Sequence, residues 1–271
     1  MSPTVVITGA RGNLGTKLRT HFTSLGWTVR LLDLHAGGDP AIHEADLATY
    51  SESWASDFDA ANAVIHLAGD PSPSASWSSV QRLNIDLTQN VYEAASRHGA
   101  RRVIFASSNW TMAGHRFADF PLTTDREPAP VNPYGVSKLI GEHIGRAFAE
   151  HRGVSSISFR IGYCQTGENV PGPHMGWGRW GQQMWLSNRD FCHAMERAVL
   201  AEQVPFAVLN LMSNNPGMRW DIETTKRTIG YAPQDSHEVV VTPEIKQDEA
   251  AARSTRDLQS QLYAMDHARR W

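Results

Sequence analysis

Two side chains that could move a proton together, Tyr134 and Lys138, stand four residues apart in the stretch 132–138. If this stretch opens a helix, the spacing sets both side chains on one face, about one turn apart. A nearby ammonium favours a phenolate, so we expect Lys138 to lower the pKa of Tyr134 from about 10 toward working pH. A phenolate can take the proton of an alcohol while hydride leaves the same carbon. Alone, the pattern also describes a tyrosine and a lysine on an exposed helix surface.

A glycine-rich turn near the N-terminus could hold the partner for that chemistry. Residues 4–8 are a short β-branched run that predicts a buried strand, and residues 16–25 have a helical pattern. Between them stand Gly9, Gly12 and Gly15. In a strand–turn–helix unit, glycines let backbone N–H groups approach the pyrophosphate of a dinucleotide. The spacing Gly-x-x-Gly-x-x-Gly is not the commonest fingerprint, so an ordinary strand-to-helix turn is the alternative.

The second predicted strand, 27–32, leads to a residue that bears on the choice of dinucleotide. Asp33 can accept hydrogen bonds from both adenosine ribose hydroxyls and would repel a 2′-phosphate, which favours NAD. Arg11 and Arg30 argue for NADP, because either could reach that phosphate. We expect NAD, with NADP as the alternative. The expected cofactor-binding residues are Gly9, Arg11, Gly12, Asn13, Leu14, Gly15, Asp33, Asp46, Leu47, Leu67, Ala68, Gly69, Tyr134, Lys138 and Ile161.

Strands and helices alternate along the chain, which predicts a parallel sheet covered on both faces. Further strands are predicted at 41–45, 62–67, 102–106, 155–161 and 204–211, and further helices at about 80–97, 134–151, 188–201 and 218–229. We expect an α/β fold, a Rossmann-type doubly wound parallel sheet with a small C-terminal substrate-binding part. Its expected parts are a dinucleotide-binding core with the catalytic helix at 1–162, an interleaved substrate-binding loop and small lobe at 163–243, and a tail helix at 244–271, with Leu258, Leu262 and Met265 at helical spacing.

Irregular segments after the strands carry the candidate substrate-binding residues, since ligands bind at the carboxyl ends of strands in open α/β sheets. The segment 163–184 is rich in Gly and Trp, and Trp177 is one of its aromatic residues. It could be a mobile lid, a rigid aromatic wall, or a surface insertion held down by its own tryptophans. Aromatic faces suit sugar rings, and Arg179 could pair with an anionic group. The expected substrate-binding residues are Asp70, Ser72, Ser108, Asn109, Trp110, Tyr134, Tyr163 and Arg179.

Composition limits the class of protein and its surroundings. The 271 residues are 41% apolar and 20% charged, as in globular proteins, and can form one sizeable core. The formal charge of −3 gives no reason to expect a nucleic-acid or membrane partner. Two cysteines, Cys164 and Cys192, fit a reducing cytoplasm, and we expect neither a signal peptide nor a transmembrane helix. Nothing in the sequence indicates a metal site, and His66 is expected to be a packed core residue.

The combined motifs resemble the extended short-chain dehydrogenase/reductase family, also called the NAD-dependent epimerase/dehydratase family, over about residues 5–233. The motifs are the glycine turn at 8–15, Asp33, Asp46-Leu47, the run 66–69, Asn84, Ser107-Ser108, Tyr134-x-x-x-Lys138, and the stretches 189–193 and 226–233. The resemblance implies Tyr134 as acid/base, Lys138 as its activator and ribose anchor, Ser108 as holder of the substrate oxygen and Asn84 as a link in a proton relay. It also implies a homodimer or higher homo-oligomer, formed through the helices that hold Asn84 and Tyr134.

Within the family, residues 105–109 and 184–190 are similar to those of the short sugar 1-dehydrogenases, such as the uronate dehydrogenases and the haloarchaeal glucose-6-phosphate dehydrogenases. Trp110 stands where uronate dehydrogenases place a histidine, and Tyr163 stands where they carry a serine. Both departures fall on the substrate side, so they leave the sugar open.

The resemblance and the aromatic segment together favour NAD-dependent oxidation of the anomeric C1 hydroxyl of a free aldose to its lactone. The sugar is expected to carry an anionic C6 group paired with Arg179: a carboxylate, a phosphate, or a sulfonate as in sulfoquinovose. The first alternative is a nucleotide-sugar epimerase or dehydratase that keeps NAD tightly bound. The second is a non-catalytic dinucleotide-sensing protein, although such proteins often lose the tyrosine or the lysine.

Overall fold

One parallel sheet forms the centre of the protein. The structure is a computed structural model, and it describes residues 2–175 and 178–254. Within these residues, seven strands lie in the order β3-β2-β1-β4-β5-β6-β7, and each neighbouring pair is parallel. The strands are β1 (Thr4–Thr8), β2 (Thr28–Asp33), β3 (Ile42–Glu44), β4 (Ala63–His66), β5 (Arg102–Ser108), β6 (Ser155–Ile161) and β7 (Phe206–Leu211).

Helices follow the strands and cover both faces of the sheet. The α-helices are α1 (Asn13–Ser24), α2 (Glu52–Ala55), α3 (Trp77–Val80), α4 (Leu87–Arg97), α5 (Pro133–Arg152), α6 (Gly178–Gln183), α7 (Asn188–Leu200), α8 (Glu223–Ile229) and α9 (Pro243–Ser254). Short 3₁₀ segments span Ser56–Phe58 and Asn109–His115, and a π-helix spans Gln81–Asp86. The predicted Rossmann-type doubly wound fold is confirmed.

The alternation of strand side chains divides the core into two layers. Ile7 of β1 packs in one layer with Phe22 of α1 and Phe191 of α7, and all three are fully buried. Val6, its neighbour in the strand, points to the opposite face and packs in a layer with Tyr92 of α4. The strand order reverses between β1 and β4, where the carboxyl ends of the strands open a crevice for ligands.

The predicted helix at 80–97 is interrupted. The π-helix Gln81–Asp86 lies between α3 and α4, so this region is three consecutive helical segments. Short π-helical segments inside α-helices occur frequently at functional sites. Asn84 lies within it, and its side chain is buried toward the loop that follows β4.

Two other predicted elements are shorter than expected for local reasons. The strand predicted at 204–211 begins at Phe206, because Pro205 has no N–H and the Val204 carbonyl accepts the Ser155 hydroxyl. The helix predicted at 218–229 begins at Glu223, because Trp220 forms an isolated parallel bridge with Leu122.

A third apolar cluster lies beyond the sheet edge, on the side of α6 and α9. Trp180 of α6 packs against Trp220, with ring centroids 5.3 Å apart, in a cluster that also contains Trp110 and Met184. Ile245 of α9 is buried. The residues Leu258, Leu262 and Met265 of the tail, and Trp177, lie outside the described residues. In the described part of the chain, no helix has the length and apolarity needed to cross a membrane.

Candidate functional site

The glycine turn between β1 and α1 is closely packed. Gly9 has φ +71°, and a Cβ there would lie 2.8 Å from the Ala68 nitrogen. A Cβ on Gly15 would lie 2.3 Å from the Gly9 carbonyl oxygen, so only glycine allows the turn to enter α1 here. The backbone of the turn lines a groove of about 650 Å³, which we call the cofactor groove. Its lining includes Gly9, Arg11, Gly12, Asn13, Leu14, Gly15, Asp33, Asp46, Leu47, Leu67, Ala68 and Gly69.

Carboxylates lie at the adenosine end of this groove. Asp33, at the end of β2, accepts a hydrogen bond of 2.9 Å from the backbone nitrogen of Arg11. The Arg11 guanidinium turns to the loop after β2 and donates to the His35 carbonyl at 3.2 Å. Arg30 donates to carbonyls at positions 57 and 59, at 2.6 and 2.9 Å, so it turns away from the groove. Asp46 pairs with Arg82. Asp33 therefore faces the groove with a carboxylate suited to ribose hydroxyls, which fits NAD.

Tyr134 and Lys138 lie in the first turns of α5, and the residues around the N-terminus of this helix favour a helix start at this point. Asn132 caps the helix by accepting the Gly135 backbone N–H at 2.7 Å, and Pro133 occupies the first turn. The Lys138 ammonium is 5.6 Å from the centroid of the Tyr134 ring and 5.1 Å from that of Phe105. The predicted helix and the shared face are therefore as expected from the spacing.

The protonation of this pair differs from the expectation. Burial raises the pKa of Tyr134 to about 12, although a hydrogen bond with Ser108 acts in the opposite direction. Burial also lowers the pKa of Lys138 to about 8, against the charge of Asp70. The expected lowering of the Tyr134 pKa by Lys138 is therefore wrong for the polypeptide by itself, because the loss of hydration outweighs the other effects.

A second cavity, which we call the substrate cleft, opens beside Tyr134. It has a volume of about 310 Å³ and continues the cofactor groove, because Leu14, Leu67, Gly69, Pro71 and Cys164 line both. The other expected site residues in its lining are Asp70, Ser108, Asn109, Trp110, Tyr134, Lys138, Ile161 and Tyr163. Pro73 and Met184, which the sequence analysis did not select, also line it.

The loop after β4 is held in place by Asn84. The side-chain oxygen Oδ1 of Asn84 accepts the Asp70 backbone N–H at 2.7 Å, and its side-chain nitrogen Nδ2 donates to the Ser137 hydroxyl at 3.1 Å. Asn84 thereby links this loop to α5, and its proton-relay role stays a prediction. Ser72 turns its hydroxyl to Ser74, at 2.9 Å, and is not in the described lining of the cleft.

Arg179 does not reach the substrate cleft. It lies in α6, it is exposed, and its backbone nitrogen donates to Glu249 of α9 at 2.8 Å. Among the described residues, the cleft lining does not include it. The structure thus corrects the expectation that Arg179 pairs with a C6 group there, because the segment 163–184 folds its second half into α6 and packs it against α9.

The sequence analysis missed a buried ion pair that involves the helix of Tyr134 and Lys138. Glu142 of α5 and Arg160 of β6 pair through two hydrogen bonds of 3.0 and 2.9 Å, with side chains 5% and 3% exposed. Ser107, beside Ser108, donates to the same carboxylate at 2.6 Å. The pair thus joins α5, β5 and β6, the elements that carry Tyr134, Ser108 and the cleft wall. Its one signal in the sequence is an acidic residue two turns after Tyr134 on the same helix face.

His66 is a packed core residue. Its ring nitrogens lie 2.8 and 3.0 Å from the hydroxyls of Thr8 and Thr88, and its side chain is buried. Burial lowers its pKa to about 3, so it stays neutral at ordinary pH.

Comparison with known proteins supports this geometry. The NAD dependent epimerase/dehydratase family matches residues 5–175, more than half of the chain. The chain belongs to this family. The resemblance seen in the motifs is therefore confirmed, and the cofactor is NAD, whose pyrophosphate and ribose the glycine turn and Asp33 of the cofactor groove fit.

The relatives are named as sugar dehydrogenases. The chain is 34% identical to NAD-dependent glucose-6-phosphate dehydrogenase of Haloferax volcanii, over 87% of this chain and 95% of that protein. It is also 34% identical to L-arabinose 1-dehydrogenase (NAD(P)(+)) of the same organism, over 88% and 98%. A mutant uronate dehydrogenase from Agrobacterium tumefaciens complexed with NAD has a similar structure, with a TM-score of 0.74 and 26% identity over 96% and 90% of the two chains. Together these relatives support sugar dehydrogenation as the general activity.

We predict that Glu142→Gln lowers the free energy of unfolding by about 3–5 kcal/mol, because it leaves the buried Arg160 guanidinium without its charged partner. Urea unfolding followed by circular dichroism measures this loss. Glu150→Gln, an exposed change on the same helix, is the matched control and should alter stability by less than about 0.5 kcal/mol. Equal losses in the two variants would contradict the structural role of the ion pair.

Proposed function

We propose that this protein oxidises the anomeric C1 hydroxyl of a free aldose to the aldonolactone, with reduction of NAD to NADH. The observation that carries the proposal is the position of Tyr134. Tyr134 lines the substrate cleft together with Ser108 and Lys138, where the cofactor groove continues into this cleft. A group that exchanges a proton at this junction lies between the expected places of the nicotinamide and of the sugar.

Tyr134 and Lys138 act as one proton-accepting unit in this proposal. The Tyr134 oxygen takes the proton of the C1 hydroxyl as the hydride leaves C1 and the C1–O bond becomes a carbonyl. NAD, when bound, accepts that hydride. Ser108 holds the same sugar oxygen, and the nearby Lys138 charge stabilises the phenolate.

The substrate cleft supports a small sugar. Its volume of about 310 Å³ is at the lower limit of small-molecule sites, which suits a monosaccharide better than a nucleotide sugar. Trp110 and Tyr163 give it an aromatic wall, and Asp70 supplies a carboxylate that can accept sugar hydroxyls. Asn109 is partly committed, because its amide nitrogen donates to the Ile161 carbonyl at 2.9 Å.

We also propose that the sugar carries an anionic C6 group: a carboxylate, a phosphate or a sulfonate. The support is likeness to enzymes named for glucose 6-phosphate and for uronates. The relative named for L-arabinose makes a neutral sugar the competing possibility. In the described structure Arg179 is exposed outside the cleft, so the proposal rests on the relatives and not on an identified cation.

We predict that Tyr134→Phe lowers kcat by about 10²–10⁴-fold, the range lost with a general acid–base group, and leaves NAD affinity within about threefold. Absorbance of NADH measures turnover, and quenching of protein fluorescence measures cofactor binding. Tyr163→Phe is the matched control, since it removes a hydroxyl from the same cleft but not the proposed base. Normal turnover by Tyr134→Phe would refute the mechanism.

We predict that matched sugar pairs reveal the substrate class. In the pairs glucose and glucose 6-phosphate, galactose and galacturonate, and glucose and sulfoquinovose, at least one anionic member should have a kcat/KM more than tenfold above its neutral partner. Preference for neutral sugars or L-arabinose would overturn the anionic C6 part alone. No NADH from any sugar, with NAD retained through purification, would indicate a nucleotide-sugar epimerase or dehydratase instead.

We predict that Asp70→Asn moves the acidic limb of the kcat/KM profile to lower pH. The Asp70 charge raises the pKa of both Lys138 and Tyr134, so its removal favours loss of a proton from the pair. The wild-type limb is expected near the Lys138 value of about 8. Ser79→Ala removes the hydroxyl that donates to Asp70 but keeps the charge, and should leave the limb in place. An Asp70→Asn limb at unchanged or higher pH would contradict the coupling.

A further inference from the structure

The two cavities share a wall in the segment that follows β6, residues 163–165, which we call the shared wall. Cys164 lines both the cofactor groove and the substrate cleft, and Tyr163 lines the cleft. A molecule bound in either cavity therefore lies against the same short piece of backbone. Whatever holds this backbone affects both ligands.

The shared wall is attached on its substrate side by backbone hydrogen bonds. The Tyr163 nitrogen donates to the Met184 carbonyl at 2.6 Å, and the Leu186 nitrogen donates to the Tyr163 carbonyl at 2.9 Å. Asn169 adds a buried side chain, which accepts the Gln165 N–H at 2.9 Å and donates to the Leu186 carbonyl at 2.6 Å. These contacts tie the wall to the segment before α7.

On the cofactor side, two residues of α1 hold the wall. Asn13 donates its amide to the Cys164 carbonyl at 3.0 Å. The Lys17 ammonium donates to the Gln165 backbone carbonyl at 2.6 Å and to the side-chain oxygen Oδ1 of Asn13 at 2.7 Å, and it lies 3.8 Å from the Cys164 sulfur. The three partners of Lys17 match the three N–H donors of its ammonium, so hydrogen bonds within the protein fix the position of the ammonium. Asn13 and Lys17 are one turn apart on one helix face.

Asn13 also belongs to the cofactor site, because it lines the groove at the N-terminus of α1. A dinucleotide pyrophosphate on the glycine turn lies against this helix end. A ligand that restricts the motion of Asn13 therefore also restricts the Cys164 carbonyl, to which Asn13 donates. Lys17 keeps the Asn13 side chain in the orientation that reaches this carbonyl. Asn13 thus connects the cofactor groove to the shared wall, and Lys17 supports Asn13.

We propose that Lys17 is a positioning residue that couples the cofactor site to the sugar site through Asn13 and the shared wall. Cofactor binding stabilises the wall in the arrangement that the sugar requires, and sugar binding strengthens cofactor binding by the same factor, since binding coupling is reciprocal. The sugar arm of this inference rests on the proposed function. The cofactor arm does not, because it concerns NADH and the wall alone.

The first experiment measures NADH dissociation constants by fluorescence, with and without a saturating sugar from the substrate panel. The wild type should bind NADH roughly 5–150-fold more tightly with sugar present, the usual span of such couplings. Lys17→Met keeps the aliphatic stem but has no donor. In this variant the ratio of the NADH dissociation constants without and with sugar should lie within about twofold of one. Lys17→Arg should retain much of the wild-type ratio. Lys226→Met removes a lysine paired with Glu223 on remote α8 and should keep the full ratio.

The second experiment needs no sugar, so it separates failure of this inference from failure of the proposed function. Hydrogen–deuterium exchange of a peptide covering 163–169 is followed with and without NADH. NADH should protect this peptide in the wild type and in Lys226→Met, and the protection should be lost in Lys17→Met. Unchanged thermal unfolding and far-ultraviolet spectra would establish that Lys17→Met is folded. Wild-type protection or a wild-type coupling ratio in Lys17→Met would overturn the proposal, whichever sugar is turned over.

Discussion

Burial of the Lys138 ammonium is the constraint on which the site depends. A lysine removed from water holds its proton weakly, and this one, 6% exposed, has its pKa lowered to about 8. The same burial raises the pKa of Tyr134. Both shifts disfavour a state in which both side chains are charged. The charge of Asp70 raises the pKa of Lys138 and so moderates the cost of the buried charge, which makes the loop after β4 part of the electrostatics of this pair.

The position of Tyr134 and Lys138 depends on how α5 is held against the sheet. The cap at Asn132 fixes the start of α5, and the buried pair of Glu142 and Arg160 fixes the helix two turns later against β5 and β6. A buried ion pair contributes little net stability compared with apolar packing, but its directional hydrogen bonds define one arrangement. The ion pair therefore fixes the relative position of α5, β5 and β6, and these elements carry Tyr134 and Ser108.

Local patterns predicted much of this protein, while contacts between distant residues could not be predicted. The glycine turn, the strand 155–161 and the Tyr134–Lys138 helix follow from short-range periodicity and turn chemistry. Lys17 lies 148 residues from Gln165 in sequence, so nothing near it indicated their hydrogen bond. The same limit explains Arg179, which the sequence placed in an aromatic loop but which packing of α6 against α9 directs outward. The pKa of Tyr134 was misjudged because burial depends on the whole fold.

The Tyr134–Lys138 pair and the aromatic residues of the substrate cleft come from different parts of the chain. Tyr134 and Lys138 come from one helix and are held by the sheet, whereas the aromatic wall comes from segments after β5 and β6. Under the proposed function, changes at Trp110 or Tyr163 would alter the substrate cleft without moving Tyr134 or Lys138. The shared wall is nevertheless linked to the cofactor groove. Cys164 lines both cavities, and Asn13 of α1 donates to the Cys164 carbonyl. Under the proposed function, a change of sugar would therefore come from side chains that line the cleft and not from the backbone of 163–165, which Asn13 holds.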